Sequence, residues 1–172
     1  MARFCDHTTV GVVVRNQEGE ILMVERRHPP YGWAPLTGHV DKNIDIDGYA
    51  LWEDAAQSTV QDMIGAAPTG IRPLGRGRRE NECSREGGDW HEWVVFEAIV
   101  EGDLNVDPEL VLNWKWAGAG ELDEMQRRTE AWHRVEFGSE RWREEPGLDP
   151  TWYWFFRDLG IGVEALETAG VS

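Results

Sequence analysis

The run from Trp33 to Ala66, WAPLTGHVDKNIDIDGYALWEDAAQSTVQDMIGA, constrains the fold more than any other part of the chain. It opens with a tight turn built on Pro35 and Gly38, crosses a loop dense in Asp, and enters an amphipathic stretch. Apolar residues at 52, 55, 56, 60, 63 and 64 follow the spacing of one helical face. Asp47 and Gly48 stand before that run, where a helix start favours a short acceptor and a flexible residue. Gly65 follows it, as a glycine past the last turn commonly does. The stretch therefore predicts a turn, an acidic loop and a capped helix.

With those residues in place, the stretch resembles the box of the Nudix hydrolases, G-x5-E-x7-R-E-U-x-E-E-x-G-U, where U is bulky and apolar. Gly65 and Ala66 match its final G-U, and Asp62 and Met63 fall on the paired glutamates. Val60 takes the first U, and Ser58 and Thr59 stand where the family has Arg-Glu. Gly38 matches the box glycine, with about six extra residues before the helix. The resemblance extends over most of residues 8 to 125. It implies an α/β (α+β) fold, a Nudix-type α/β/α sandwich around a central mixed sheet. It also implies hydrolysis of a nucleoside diphosphate linked to another moiety, with Mg²⁺ or Mn²⁺ as cofactor. A nucleotide-like small molecule would then be the partner.

The departures from the box carry chemical weight. The family places three carboxylates at helix positions 0, +3 and +4, close enough on one face to share a metal. Here those positions are Thr59, Asp62 and Met63, so one carboxylate survives. Glu53 and Asp54 lie too far back to join it, Asp54 being about 12 Å away along the axis at ~1.5 Å per residue. On the resemblance, Asp62 and the Gly38 carbonyl are the remaining metal contacts. Arg26, Arg79 and Trp33 are implied substrate contacts, and His39 is the histidine placed to act as base or ligand. A catalytically inactive Nudix-fold module, binding a nucleotide-like ligand or a protein, is the alternative. The inserted loop offers a second metal reading. Asn43, Asp45, Asp47 and Asp54 follow the spacing of a calcium loop with Gly48 at its turn, so Ca²⁺ is a candidate for residues 43 to 54. The same residues also suit a plain turn and cap.

Composition limits the classes of function. A net charge of −15 opposes general nucleic-acid binding, because phosphates would be repelled. Cys5 and Cys83 form no disulfide framework and lack the sequence spacing of a zinc site. With no charged-then-apolar leader and no apolar run of membrane length, a reduced cytoplasmic setting is expected. The chain has 10 Trp, with Trp114, Trp116, Trp132, Trp142, Trp152 and Trp154 in its last third. Large aromatics pack in cores and interfaces or stack on bases.

Along the chain, residues 8 to 15 and ILMVERR read as a hairpin closed by Asn16 to Glu20. Pro29 and Pro30 then exclude a sheet. IRPLGRGRR reads as a strand carrying Arg72, Arg76, Arg78 and Arg79, suited to a substrate phosphate or to the surplus acids. HEWVVFEAIVEG is the next strand, with His91 at its start in a structural or solvent-facing place. A further acidic ligand would come from Glu80, Glu82, Glu86, Asp89, Glu92 or Glu97. Trp116, Glu121 and Leu122 resemble the late Nudix strand and helix, the helix running to about Arg128. One domain is expected over 1–172, with an aromatic-rich helical extension from about 134. In it a long connection leads to TWYWFFRDLG, a helix capped by Thr151 that packs on the core or on a second subunit, as in a homodimer. The last residues, ETAGVS, are expected to fray.

Overall fold

Val10, Val12 and Val14 of the first strand, β1 (Thr8–Arg15), point to one side of the sheet and Val13 to the other, and all are buried. A strand apolar on both faces belongs at the centre of a sheet covered on both sides, and that is its position in the computed structural model, which describes residues 3–132 and 139–162. Beside it run β2 (Ile21–Arg26), β3 (Trp33–Ala34), β4 (Leu36–His39), β5 (Thr69–Glu80), β6 (Trp90–Ile99) and β7 (Val111–Ala117). The sheet is mixed: β1 is parallel to β6 and antiparallel to β4, while β5 is antiparallel to β6 and β7 to β2. The expected β1–β2 hairpin has its tip, where the Asn16 side chain accepts from the Glu20 N–H at 2.9 Å. The two strands share only the Arg15–Ile21 pair before β2 turns to β3 and β7.

The helix of the opening motif is α1 (Trp52–Ile64), and it buries Ala55, Ala56, Thr59, Val60 and Ile64 against Val10, Val12 and Val14. Gly65 ends it in the left-handed conformation at φ 61°, as read from the sequence. Its start is different. The N-cap is Leu51, with no side-chain cap, and Glu53 and Asp54 in the first turn face the positive end of the dipole. Asp47 lies back in a small hairpin, where Ile44 bridges Ala50 and the Leu51 N–H donates to the Asn43 carbonyl at 2.7 Å.

The opposite face of the sheet is covered by α2 (Ala119–Ala131) and α4 (Pro150–Leu159), which meet Val13, Met23, Trp93 and Val95. α2 runs a turn beyond Arg128, and a short helix α3 (Glu140–Glu144) breaks the expected connection. Residues 133–138 of that connection, and ETAGVS, lie outside the described residues. The aromatic helix goes to this chain's own core: Trp152, Tyr153, Phe155 and Phe156 are buried.

The cap of α4 is Asp149, not Thr151. Its Oδ1 accepts from the Thr151 and Trp152 N–H groups at 2.8 and 3.4 Å, and Pro150 occupies the first helical position. Proline favours that position because its missing N–H would be orphaned there anyway, so the sequence carried the signal. Asp149→Ala is expected to cost about 1–2 kcal/mol, read as a lower urea midpoint with an unchanged slope.

Candidate functional site

At one end of the sheet, between α1 and the β5–β6 connection, lies a cavity of about 620 Å³. That volume is within the range of small-molecule sites. Of the residues expected at a site, Arg26, Gly38, His39, Asn43 and Asp62 line it, together with Ser58, Thr59 and Met63 of the box helix. Trp33, Asp45, Asp47, Asp54 and Arg79 do not. Trp33 lies in β3 with the Lys115 ammonium 5.0 Å from its ring centre. Arg79 pairs with Asp158 and stacks over Phe155, 4.7 Å from the ring centre, on the α4 side. The other arginines of β5 are also engaged: Arg72 with Glu97, Arg76 with Glu92, and Arg78 over the Trp90 ring. The surplus acids and an aromatic ring, rather than the cavity, take this basic stripe.

The cavity's own cations are Arg3, Arg26, Lys42 and Arg85. Arg85 grips Asp41 with two hydrogen bonds of 2.5 and 2.9 Å, and those bonds hold the Asp41 carboxyl below its usual range. Arg26 Nη1 stands 3.9 Å from Asp149 Oδ2; burial pushes that carboxyl up, against the pull of the arginine.

Gly38 fixes how closely the box helix approaches. A β-carbon there would overlap Thr59 Oγ1 and come within 3.2 Å of the Thr59 β-carbon. Thr59 is buried under β4, and Met63 packs on the core. Two of the three helix positions that carry carboxylates in the family thus serve packing here, and of the three only Asp62 brings a carboxylate to the cavity.

The inserted loop is held by hydrogen bonds of its own. Asp45 Oδ1 accepts from the Asp47 and Tyr49 N–H groups at 3.0 and 2.8 Å, and Asn43 Oδ1 accepts from Ser58 Oγ at 3.4 Å. Among the described residues, Asp45, Asp47 and Asp54 form no group of ligand atoms within 4.8 Å. The arrangement supports the turn and hairpin reading of the loop. Asp62 likewise joins no such carboxylate group. Of the acids between 80 and 97, Glu82 lines the cavity, whereas Glu92 and Glu97 are paired with arginines.

One group of metal-ligating side chains does converge among the described residues: Cys5, His39, Cys83 and His91. Strand register explains it. β4 runs antiparallel to β1 with His39 opposite Thr9, and β6 runs parallel with Glu92 opposite Thr8, so His39 and His91 flank the start of β1. Cys5 lies just before that start. Cys83 is brought back by the β5–β6 connection, where its N–H donates to the Gly88 carbonyl at 2.9 Å. Of the structural and solvent-facing places expected for it, His91 does not take the second: it is 1% exposed and sits inside this cluster. Burial, with His39 and His7 adding to it, lowers its pKa to about 4, and burial also lowers that of His39. The cysteines, unremarkable by sequence spacing, are neighbours in space.

A family model, the NUDIX domain, matches residues 6–137. The chain belongs to the Nudix family. Solved structures carry the same fold. The MutT protein from Methanosarcina mazei Go1 superposes with a TM-score of 0.57 at 16% identity, over 91% of this chain and 94% of that one. The dihydroneopterin triphosphate pyrophosphohydrolase of E. coli gives 0.54 at 17%, over 77% and 97%. The NUDIX domain of Shewanella oneidensis NrtR, solved with ADP ribose, gives 0.54 at 18%, over 78% and 91%. No curated protein matches the sequence significantly. In this Nudix chain the α/β/α layering and the mixed sheet are those of the family, and no helix among the described residues is long and apolar enough to cross a membrane.

Proposed function

We propose that this chain is a Nudix-type hydrolase acting on a nucleoside diphosphate linked to another moiety, bound in the cavity beneath α1. The observation that carries the proposal is the meeting, in one cavity, of Asp62 and Gly38 with Arg3, Arg26 and Lys42, in a protein of net charge −15. Asp41, Glu82 and Asp149 share the lining, and the guanidinium and ammonium groups among them give an anionic ligand its partners in an otherwise acidic protein. Guanidinium groups match phosphate oxygens bidentately, and an ammonium supplies a point charge.

The donor set does not suit a resident cage of carboxylates. It suits a Mg²⁺ or Mn²⁺ that arrives on the diphosphate, since magnesium commonly takes one or two protein carboxylates and completes its shell with phosphates and water. Asp62 would hold that ion, whose chemistry is to neutralise phosphate charge. Arg26, backed by Asp149, would orient one phosphate, and Lys42 a second. His39 reaches the cavity wall with its Nδ1 on the Thr8 carbonyl at 3.2 Å and its Nε2 toward Cys83 at 3.9 Å. This leaves it poorly placed to take a proton from water.

The loss of carboxylates at Thr59 and Met63 favours a second reading, an inactive module that binds the same kind of ligand. A panel of nucleoside diphosphate derivatives with Mg²⁺ or Mn²⁺ separates the two. The hydrolase reading expects turnover that falls at least about 100-fold in Asp62→Asn, the loss of roughly 3 kcal/mol of transition-state stabilisation. Calorimetric binding without turnover in the wild-type chain would establish the module instead.

A further inference from the structure

We infer that Cys5, His39, Cys83 and His91 form a tetrahedral Cys₂His₂ site for a structural Zn²⁺, at the wall of the cavity and separate from any ion at Asp62. The geometry is that of a site close to its loaded form. Cys5 Sγ lies 3.1 Å from His91 Nε2, Cys83 Sγ lies 3.9 Å from His39 Nε2, and the four donor atoms are within 4.8 Å of one another. With Zn–S and Zn–N bonds of about 2.3 and 2.0 Å, a tetrahedron sets neighbouring S and N atoms ~3.5 Å apart. The two measured separations straddle that value.

The surrounding hydrogen bonds prepare each donor. His39 Nδ1 faces the Thr8 carbonyl at 3.2 Å, which can only accept, so the ring carries its proton on Nδ1 and turns a bare Nε2 to the centre. His91 Nδ1 faces Asn81 Oδ1 at 3.1 Å. The Trp93 indole N–H, a donor only, reaches the same Oδ1 at 3.1 Å and so identifies that atom as the oxygen. His91 therefore also presents a bare Nε2. Metal-ligating histidines are commonly held in this way by an acceptor on the other nitrogen. The sulfurs are prepared symmetrically. Cys5 Sγ accepts the N–H of His7 at 3.3 Å, and Cys83 Sγ accepts that of Arg85 at 3.1 Å, in each case the amide two residues on.

Two thiolates and two imidazoles are the donors that zinc favours, and four protein ligands leave no open position, which marks a structural site. The ion would tie the N-terminal segment and the β5–β6 connection to the ends of β4 and β6. The N-terminal segment already meets the connection through the Phe4–Glu86 bridge and the Cys5 N–H to the Glu86 carbonyl at 2.9 Å, and meets β6 where the Glu92 N–H donates to the His7 carbonyl at 2.7 Å. Asn81, Cys83 and Arg85 all line the cavity, so the metal would set the position of one of its walls.

The test is metal analysis of the full-length chain purified under reducing conditions without added chelator. Stoichiometric zinc is expected. After exchange, Co²⁺ should give the intense visible bands of a tetrahedral ion with thiolate-to-cobalt charge transfer in the near ultraviolet. Cys83→Ser and Cys5→Ser should each lose bound zinc, and Cys5→Ser, lying ahead of the first strand, keeps the sheet intact. In the wild-type chain, chelation should lower the melting temperature, with recovery on adding Zn²⁺ but not Mg²⁺. Asp62→Asn should retain full zinc, which separates this site from the proposed diphosphate chemistry. Absence of stoichiometric metal, an octahedral cobalt spectrum, unchanged zinc in both cysteine variants, or a Cys5–Cys83 disulfide in the freshly purified chain would each overturn the assignment.

Discussion

Trp152→Ala is expected to destabilise the protein by about 3–5 kcal/mol, the cost of deleting a fully buried large aromatic side chain. The indole lies in the core on the α4 side of the sheet, against Gly11, where any β-carbon would overlap its six-membered ring. Trp93 meets it edge-on with ring centres 5.7 Å apart, and Phe155 and Phe156 flank it at 5.6 and 6.0 Å. Its indole N–H donates to Thr37 Oγ1 at 3.1 Å, so truncation also removes a partly buried hydrogen bond near the cavity. Such a hole cannot collapse readily, because the sheet forms one wall and α4 the other. Urea unfolding followed by fluorescence and circular dichroism measures the loss. Trp154→Ala is the control: that ring is 48% exposed on the same helix, and the expected change is within about 0.5 kcal/mol. Equal effects of the two substitutions would contradict the packing described for α4.

Gly38→Val should reduce both stability and ligand binding. Overpacking a tight contact costs about 1–3 kcal/mol, and here the branched side chain would be driven into Thr59 on the buried face of α1. Relief requires the helix to move away from β4. Asp62 is one turn further along that helix and moves with it, so a ligand that contacts both Asp62 and the opposite cavity wall is held less well. Gly38→Ala should show a smaller effect of the same sign. Combining it with Thr59→Ala should recover part of the loss, because the clash is with the threonine hydroxyl and methyl. A strictly additive double variant would place the clash elsewhere. The readouts are the urea midpoint and calorimetric affinity for a nucleoside diphosphate.

Local features of the chain were open to reading from residue order. The α1 face is set by spacing within a few turns, and Gly65 ends the helix where a left-handed residue is wanted. The strand over residues 8 to 15 was legible as a strand from its β-branched run. The box itself is a local pattern, and its substitutions at Thr59 and Met63 were visible before any coordinates. The cap of α4 is local too: Thr151 is a good capping residue, but Pro150 at the first helical position marks Asp149 as the cap.

The cavity and the Cys/His cluster are of another kind. Positions 5, 39, 83 and 91 follow no short spacing, and His7, the histidine nearest to Cys5 in sequence, is not one of the four. They meet because β1 is flanked by an antiparallel β4 and a parallel β6, whose registers bring His39 and His91 to its first residues. The arginines of β5 were equally ambiguous in sequence, since a guanidinium serves a ligand phosphate or a neighbouring carboxylate alike. Pairing with Glu92, Glu97 and Asp158 was decided by which strand and helix lay alongside. Residue order thus determined the helix, the first strand and the family of the fold, because those depend on interactions between near neighbours. Which polar groups share a site was decided only by tertiary structure, because strand pairing joins segments separated by dozens of residues and one step of register would carry each side chain to the opposite face.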